Sequence, residues 1–150
     1  MVRFKNRWFL VEFLPISSKN AAFEGKQIWN ALKQCILHNF GDAGWGAVAM
    51  SLTVKYYSPT TNVCIIRVGR DQHRIAWAGL TLLTTVDGVP VIPHVVHLSG
   101  TIKHAQLAAV THNREVIARY RRRAKTSAGY HDSYDDFLTK SDAEINSLQD

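Results

Sequence analysis

The chain has 150 residues, of which 46% are hydrophobic, 20% charged and 10% aromatic. That indicates one soluble globular domain with a single core, and it excludes extended disorder, a TIM barrel and a two-domain enzyme. No apolar run approaches the roughly 20 residues a membrane-spanning helix needs. The stretch Met1 to Leu14 mixes charge with apolar residues, unlike a secretory signal, and two cysteines, Cys35 and Cys64, fit a reducing compartment rather than a disulfide framework.

The net charge is +6, but it is unevenly spread. Residues 1–125 hold 17 basic and 6 acidic side chains, whereas residues 126–150 hold one basic residue, Lys140, and six acidic ones. The division expected is a basic domain over 1–125 and a polar acidic tail over 126–150, disordered or forming a short helix. A cationic surplus of this size points to a polyanion, with nucleic acid first. The plainer reading is a solvated basic surface without a partner.

Arg3 to Leu14 is predicted to be a strand, rich in aromatic and β-branched residues and stopped by Pro15. A loop follows at Ser17 to Asn20. Ala22 to Phe40 is predicted to be a helix, with Ile28, Leu32, Cys35 and Ile36 on one face and Gly41 as its stop. The Gly-rich run Gly41 to Gly46 joins a helix to a strand, the wrong order for a phosphate loop, and is expected to be a turn. Ala47 to Tyr57 and Val63 to Val68 form a hairpin around Pro59. Asp71 is expected to cap a second helix running to about Thr85. Asp87-Gly88 is a turn, and Val91 to Ser99 is a fourth strand with an edge or bulge near Pro93. Ser99-Gly100-Thr101 opens a third helix reaching about Ala124. Nothing in the remaining tail is expected to anchor a core, although Tyr134 to Leu148 has helical character.

The order β-α-β-β-α-β, then α, predicts an α+β ferredoxin-like sandwich with a four-stranded antiparallel sheet and a C-terminal basic helix. The first and third strands are apolar on both faces. A sheet with one wet face would alternate, so the second face is expected to be covered, by the third helix or by a partner protein.

Chemistry-bearing constellations are sparse. His94 and His97, three apart on a strand, are expected on opposite faces, and His104 and His112 have no ligand at suitable spacing, so no metal site is expected. No Gly-x-Ser-x-Gly occurs, and the acidic pair Asp135-Asp136 lies in the tail. No catalytic residue is expected. An RNA-recognition motif shares this topology, but Asn62 to Val68 carries no aromatic ring for base stacking. RNA contact would therefore use phosphates and shape.

The cations are better organised. Lys103, Arg114, Arg121 and Lys125 fall within about a quarter turn of one another on the third helix, and Arg119, Arg122 and Arg123 widen the patch. Ile102, Ala109, Val116, Ile117 and Tyr120 lie opposite and would dock. Arg3, Lys5 and Arg7 alternate along the first strand. Other readings are a cation cluster favoured at a helix C-terminus or a nuclear-import signal for Arg121 to Arg123, and an aggregation-deterring edge for Arg3, Lys5 and Arg7.

The opening Met1-Val2-Arg3-Phe4-Lys5-Asn6-Arg7-Trp8 resembles the Pop-five subunit family of eukaryotic and archaeal ribonuclease P and RNase MRP. So do Val54-Lys55-Tyr56-Tyr57, Ile65-Ile66-Arg67-Val68, the stretch Arg74 to Trp77 and Leu80-Thr81-Leu82. The most recognisable block is His97-Leu98-Ser99-Gly100-Thr101-Ile102-Lys103, followed by Gln106 and Arg114. The resemblance spans about residues 1–120, and the acidic tail resembles eukaryotic members.

The resemblance implies a ferredoxin-like, non-catalytic protein subunit of a ribonucleoprotein that removes the 5′ leader from precursor tRNA. A related particle processes precursor rRNA. It implies that catalytic magnesium sits on the RNA and that this chain binds no cofactor. The implied partners are the ribonuclease P or MRP RNA, a TIM-barrel-like thirty-kilodalton-type subunit and a second small subunit of similar fold. Precursor tRNA is met indirectly, no membrane is involved, and the place is the nucleus and nucleolus. Arg3, Lys5 and Arg7 match the basic opening, and Ser99 to Lys103 matches the helix-entry block. The Gly44-Trp45-Gly46 stretch and Arg121 to Arg123 match nothing in the family, so the latter rest on charge and helical geometry. The residues expected to meet RNA are Arg3, Lys5, Arg7, Gly100, Thr101, Lys103, Arg114, Arg121, Arg122, Arg123 and Lys125. The alternative function is a protein-interaction module without direct RNA contact; a stand-alone nuclease is disfavoured by the lack of carboxylate clusters.

Overall fold

The computed structural model describes residues 3–16, 23–124 and 134–150. The expected loop at 17–20 and residue Lys125 lie outside the described residues. The elements are β1 (Asn6–Pro15), α1 (Gly25–Val48), β2 (Thr53–Ser58), β3 (Val63–Gly69), a 3-10 turn (Arg70–Gln72), α2 (His73–Leu82), β4 (Thr85–Val86), β5 (Val89–Ser99), α3 (Ile102–Arg123) and α4 (Tyr134–Asn146). The sheet is α+β in context and antiparallel at every pairing, with strand order β2-β3-β1-β5-β4. It has five strands where four are expected. The addition is the two-residue β4, folded onto the start of β5 by a tight turn in which Asp87 and Gly88 both have positive φ.

β1 is the central strand, and every residue from Trp8 to Phe13 is buried. Alternation sends Phe9, Val11 and Phe13 to one face, where they join Cys64, Ile66 and Val68 of β3 under Ile28, Leu32 and Ile36 of α1 and Ala76 and Leu80 of α2. Trp8 and Leu10 go to the other face with Tyr56, Val63 and Ile65, beneath Ala105 and Ala109 of α3 and Ile145 of α4. The covering of the second face is therefore internal. The tail contributes to it, contrary to the expectation that it anchors nothing. Ser141, Ile145 and Leu148 recur at helical spacing, so a strip of three suffices once Ser141 is satisfied by Tyr56 (2.5 Å) and Asn113 (3.1 Å). Gln106 Nε2 also donates to the carbonyls of Ile145 and Leu148, each at 3.1 Å.

The Gly-rich stretch is another departure. It is helical, not a turn. Gly41 (φ 69°) kinks α1, and the helix continues to Val48. Trp45 stacks edge-on against Trp29 at 5.2 Å, and Val48 is fully buried. Tertiary packing thus overrides the local glycine signal, and β2 starts at Thr53 rather than Ala47. α2 ends at Leu82, three residues early, because Val86 belongs to β4, and Asp71 sits in the 3-10 turn rather than at the cap. The register of β1 against β5 shifts between Leu10 and Val11, skipping Val96. The irregularity is thus at Val96, not Pro93. It also brings His94 and His97 to one side, opposite Glu12 and Leu10, where unbroken alternation would separate them.

One carboxylate lies within the second interface. Glu12 of β1 is buried, accepts from His112 Nε2 at 2.9 Å and takes Arg119 Nη2 at 3.0 and 3.2 Å. Burial alone pushes its pKa up, but the hydrogen bonds and charges of His112 and Arg119 outweigh that and hold it below the ordinary 4.5. A carboxylate depressed in the folded state adds stability above its unfolded pKa and loses it as pH falls through the folded one. The stability difference between the parent chain and Glu12→Gln, followed by urea unfolding, is therefore expected to shrink as pH falls below about 5. Separately, Ile145→Ala is expected to cost about 2–4 kcal/mol in the same assay, whereas a tail outside the core would cost nothing.

Candidate nucleic-acid interface

The expected cations fall into two groups that the fold treats differently. Antiparallel pairing sets Asn6 opposite Gly69 and Trp8 opposite Ser99, so the start of β1, the end of β3 and the end of β5 meet at one end of the sheet. The Arg70 backbone N–H donates to the Lys5 carbonyl at 2.8 Å, extending this arrangement by one residue. This brings Arg7 beside Gly100, its Nη1 3.3 Å from where a Cβ on that glycine would stand, at the entry to the helix that carries Thr101 and Lys103. Arg3, Lys5 and Lys103 are exposed, and Arg7 is half-buried.

Arg3 and Lys5 line a groove of about 1000 Å³ together with Arg67 and Arg70. Neither Arg67 nor Arg70 is among the residues expected to meet RNA. The available signal was a cation closing an apolar strand run and another just beyond it, both at the strand end that pairs with the basic opening. Arg67 Nη2 reaches Thr53 Oγ1 at 3.4 Å, while its Nε is buried without a partner. Arg70 pairs with the exposed Asp71 at 3.3 Å. Phe4, 92% exposed, and Met50, 98% exposed, add apolar surface to the same groove. Solvated cations beside exposed apolar side chains suit a polyanion whose bases also seek contact.

At the entry to α3, Thr101 is the N-cap, and its hydroxyl accepts from the His104 N–H at 3.4 Å. The N–H groups of the first turn ahead of His104 have no acceptor within the helix, and the macrodipole adds positive potential there.

The second group is the row along α3. Arg114 pairs with Asp142 at 3.0 Å and Arg121 with Asp135 at 2.7 Å, both carboxylates belonging to α4. Arg119 turns back to Glu12. The row predicted as a set of phosphate forks is thus partly neutralised by the folded tail. The physical reason is charge complementarity: the acidic segment docks where the basic helix is. Arg122 and Arg123 remain exposed in the last turn. The buried face of α3 includes the expected Ala109, Val116 and Ile117, together with Ala105, Gln106, His112 and Asn113.

Cys64 is fully buried, which pushes its thiol pKa up, and Cys35 is shifted the same way by burial. Among the described residues no group of three or more His, Cys, Asp or Glu is placed to hold a metal ion. Among the described residues no helix is long and apolar enough to cross a membrane.

Comparison with known proteins places this geometry in context. The family model described as the Rpp14/Pop5 family matches residues 7–110. The Schizosaccharomyces pombe protein named ribonuclease P/MRP protein subunit POP5 is 42% identical over 127 residues, covering 78% of this chain and 91% of that one. A probable ribonuclease P/MRP protein subunit POP5 from Arabidopsis thaliana is 36% identical, covering 77% and 81%. Among solved structures, a chain of yeast ribonuclease MRP determined by cryo-EM superposes with a TM-score of 0.56 at 13% identity, covering 79% of this chain and 98% of that one, which shows a shared fold. With a match running from Arg7 in β1 through the first turns of α3, the chain belongs to the Rpp14/Pop5 family.

Proposed function

We propose that this chain is a non-catalytic protein subunit of a ribonuclease P or RNase MRP ribonucleoprotein. In that role it stabilises the folded catalytic RNA, which removes the 5′ leader from precursor tRNA and, in the MRP particle, processes precursor rRNA. Its nearest use of charge is neutralisation: Arg3, Lys5, Arg7 and Lys103, with Arg67 and Arg70, take RNA phosphates at one end of the sheet. Magnesium belongs to the RNA, and the particle is nuclear and nucleolar. Its protein neighbours are a TIM-barrel-like subunit and a second small subunit of similar fold, for which the exposed Trp77 and Leu82 of α2 offer apolar surface.

The observation that carries this reading is the gathering of Arg3, Lys5, Arg67 and Arg70 around one groove at the end of the sheet, in a chain whose relatives are named as subunits of these particles. The α3 row supports it less, because α4 already holds Arg114 and Arg121.

Affinity for structured RNA is expected to fall with salt by roughly 0.7–0.9 decades per decade for each phosphate contact. The triple variant Arg3→Gln, Lys5→Gln, Lys103→Gln is expected to flatten that slope by roughly 2–3, with thermal unfolding unchanged because all three side chains are exposed. Filter binding between about 50 and 300 mM salt measures both. An affinity indifferent to salt, or a variant with the parent slope, contradicts the reading.

A further inference from the structure

We propose that the entry to α3 is a built site for one RNA backbone phosphate, with Ser99 as a ligand; this rests on the RNA-subunit reading above. Ser99 is 4% exposed, and its hydroxyl has no hydrogen-bond partner. A buried hydroxyl left unpaired is costly, and a packing role is served equally well by alanine. Its pairing opposite Trp8 turns it to the α3 side of the sheet. There it lines a groove of about 630 Å³ between β5 and α3, beside Gly100 and His104.

Three kinds of donor lie around the helix entry that Ser99 and Gly100 precede. The first is the Ser99 hydroxyl. The second is the pair of N–H groups of Ile102 and Lys103, unused within the helix because Thr101 caps only His104 and Ala105. The third is the Arg7 guanidinium. A Cβ on Gly100 would stand 3.3 Å from Arg7 Nη1, so the missing side chain admits the cation to the helix entry. One bond from Nη1 to the Asn6 carbonyl, 3.2 Å, steadies it, and its other N–H groups stay available.

A hydroxyl, first-turn amides and a planar fork together suit a tetrahedral oxyanion. The one carboxylate lining the groove, Glu115, lies more than three helical turns along α3 and faces His112 at 3.8 Å. It does not compete at the entry. Lys103, exposed on the first turn, adds charge at the rim.

The test uses the 15N-labelled full chain, titrated first with inorganic phosphate and then with a structured RNA hairpin lacking terminal phosphates. Saturable amide shifts are expected at Ile102 and Lys103 with both probes. Ser99→Ala is expected to be at least as stable as the parent yet to bind phosphate about fivefold or more weakly, the loss of one hydrogen bond to a charged group. Arg7→Gln, which removes the guanidinium, is expected to weaken it similarly. Unchanged phosphate and RNA binding by both variants, or a Ser99→Ala chain destabilised as the loss of an internal hydrogen bond would make it, overturns the inference. In the first of these cases, parent-level RNA binding leaves the subunit reading standing. Saturation by inorganic phosphate with no response to the hairpin overturns the assignment to a backbone phosphate and counts against the subunit reading as well.

Discussion

The structure depends on a central strand that has no wet side. From Trp8 to Phe13, β1 is buried on both faces, so each face needs its own cover, and two helices serve each one. α1 and α2 pack on one side, α3 and α4 on the other. That requirement draws the acidic tail back onto the body. It also explains why the one carboxylate on β1, Glu12, must be met by two donors from α3, His112 and Arg119, since an unpaired buried charge would oppose folding.

The same packing divides the chain's positive charge by use. α3 spends its C-terminal half on internal contacts: Arg119 reaches β1, and Arg114 and Arg121 hold α4. The opening of β1 meets the tail through Asn6, whose Nδ2 donates to Asp150 Oδ1 at 3.0 Å, rather than through its cations. Arg3 and Lys5 stay exposed, and the strands carry Arg67 and Arg70 to meet them. The cationic surplus of the sequence is therefore divided: part is paired within the fold, a group gathers at one end of the sheet, and Arg122 and Arg123 stay exposed at the end of α3.

Much of this was legible beforehand, for definite reasons. β1 and β3 are apolar on both faces, so strand type, two-sided burial and the need for a second cover followed from pattern alone. The docked side of α3 followed from period. What escaped depended on contacts far apart in sequence. Gly41 signals a helix stop, yet the Trp45–Trp29 packing carries α1 past it. The strip Ser141, Ile145 and Leu148 holds one polar member, which looks like a tail residue until Tyr56 and Asn113 are seen to satisfy it. The sign of Arg114 and Arg121 was plain, but their partners, Asp142 and Asp135, became visible only once α4 was docked. Arg67 and Arg70 were overlooked because their value comes from the β1–β3 register, not from any local motif.

The central claim is that RNA meets the chain at the sheet end where β1 begins, not along the basic row of α3. Ultraviolet cross-linking of the reconstituted complex, with the attached peptides mapped by mass spectrometry, tests it most directly. Attachment concentrated at residues 3–7, 67–70 and 99–104 is the predicted result. Attachment concentrated at residues 114–123, or on the outer faces of α1 and α2, would contradict it.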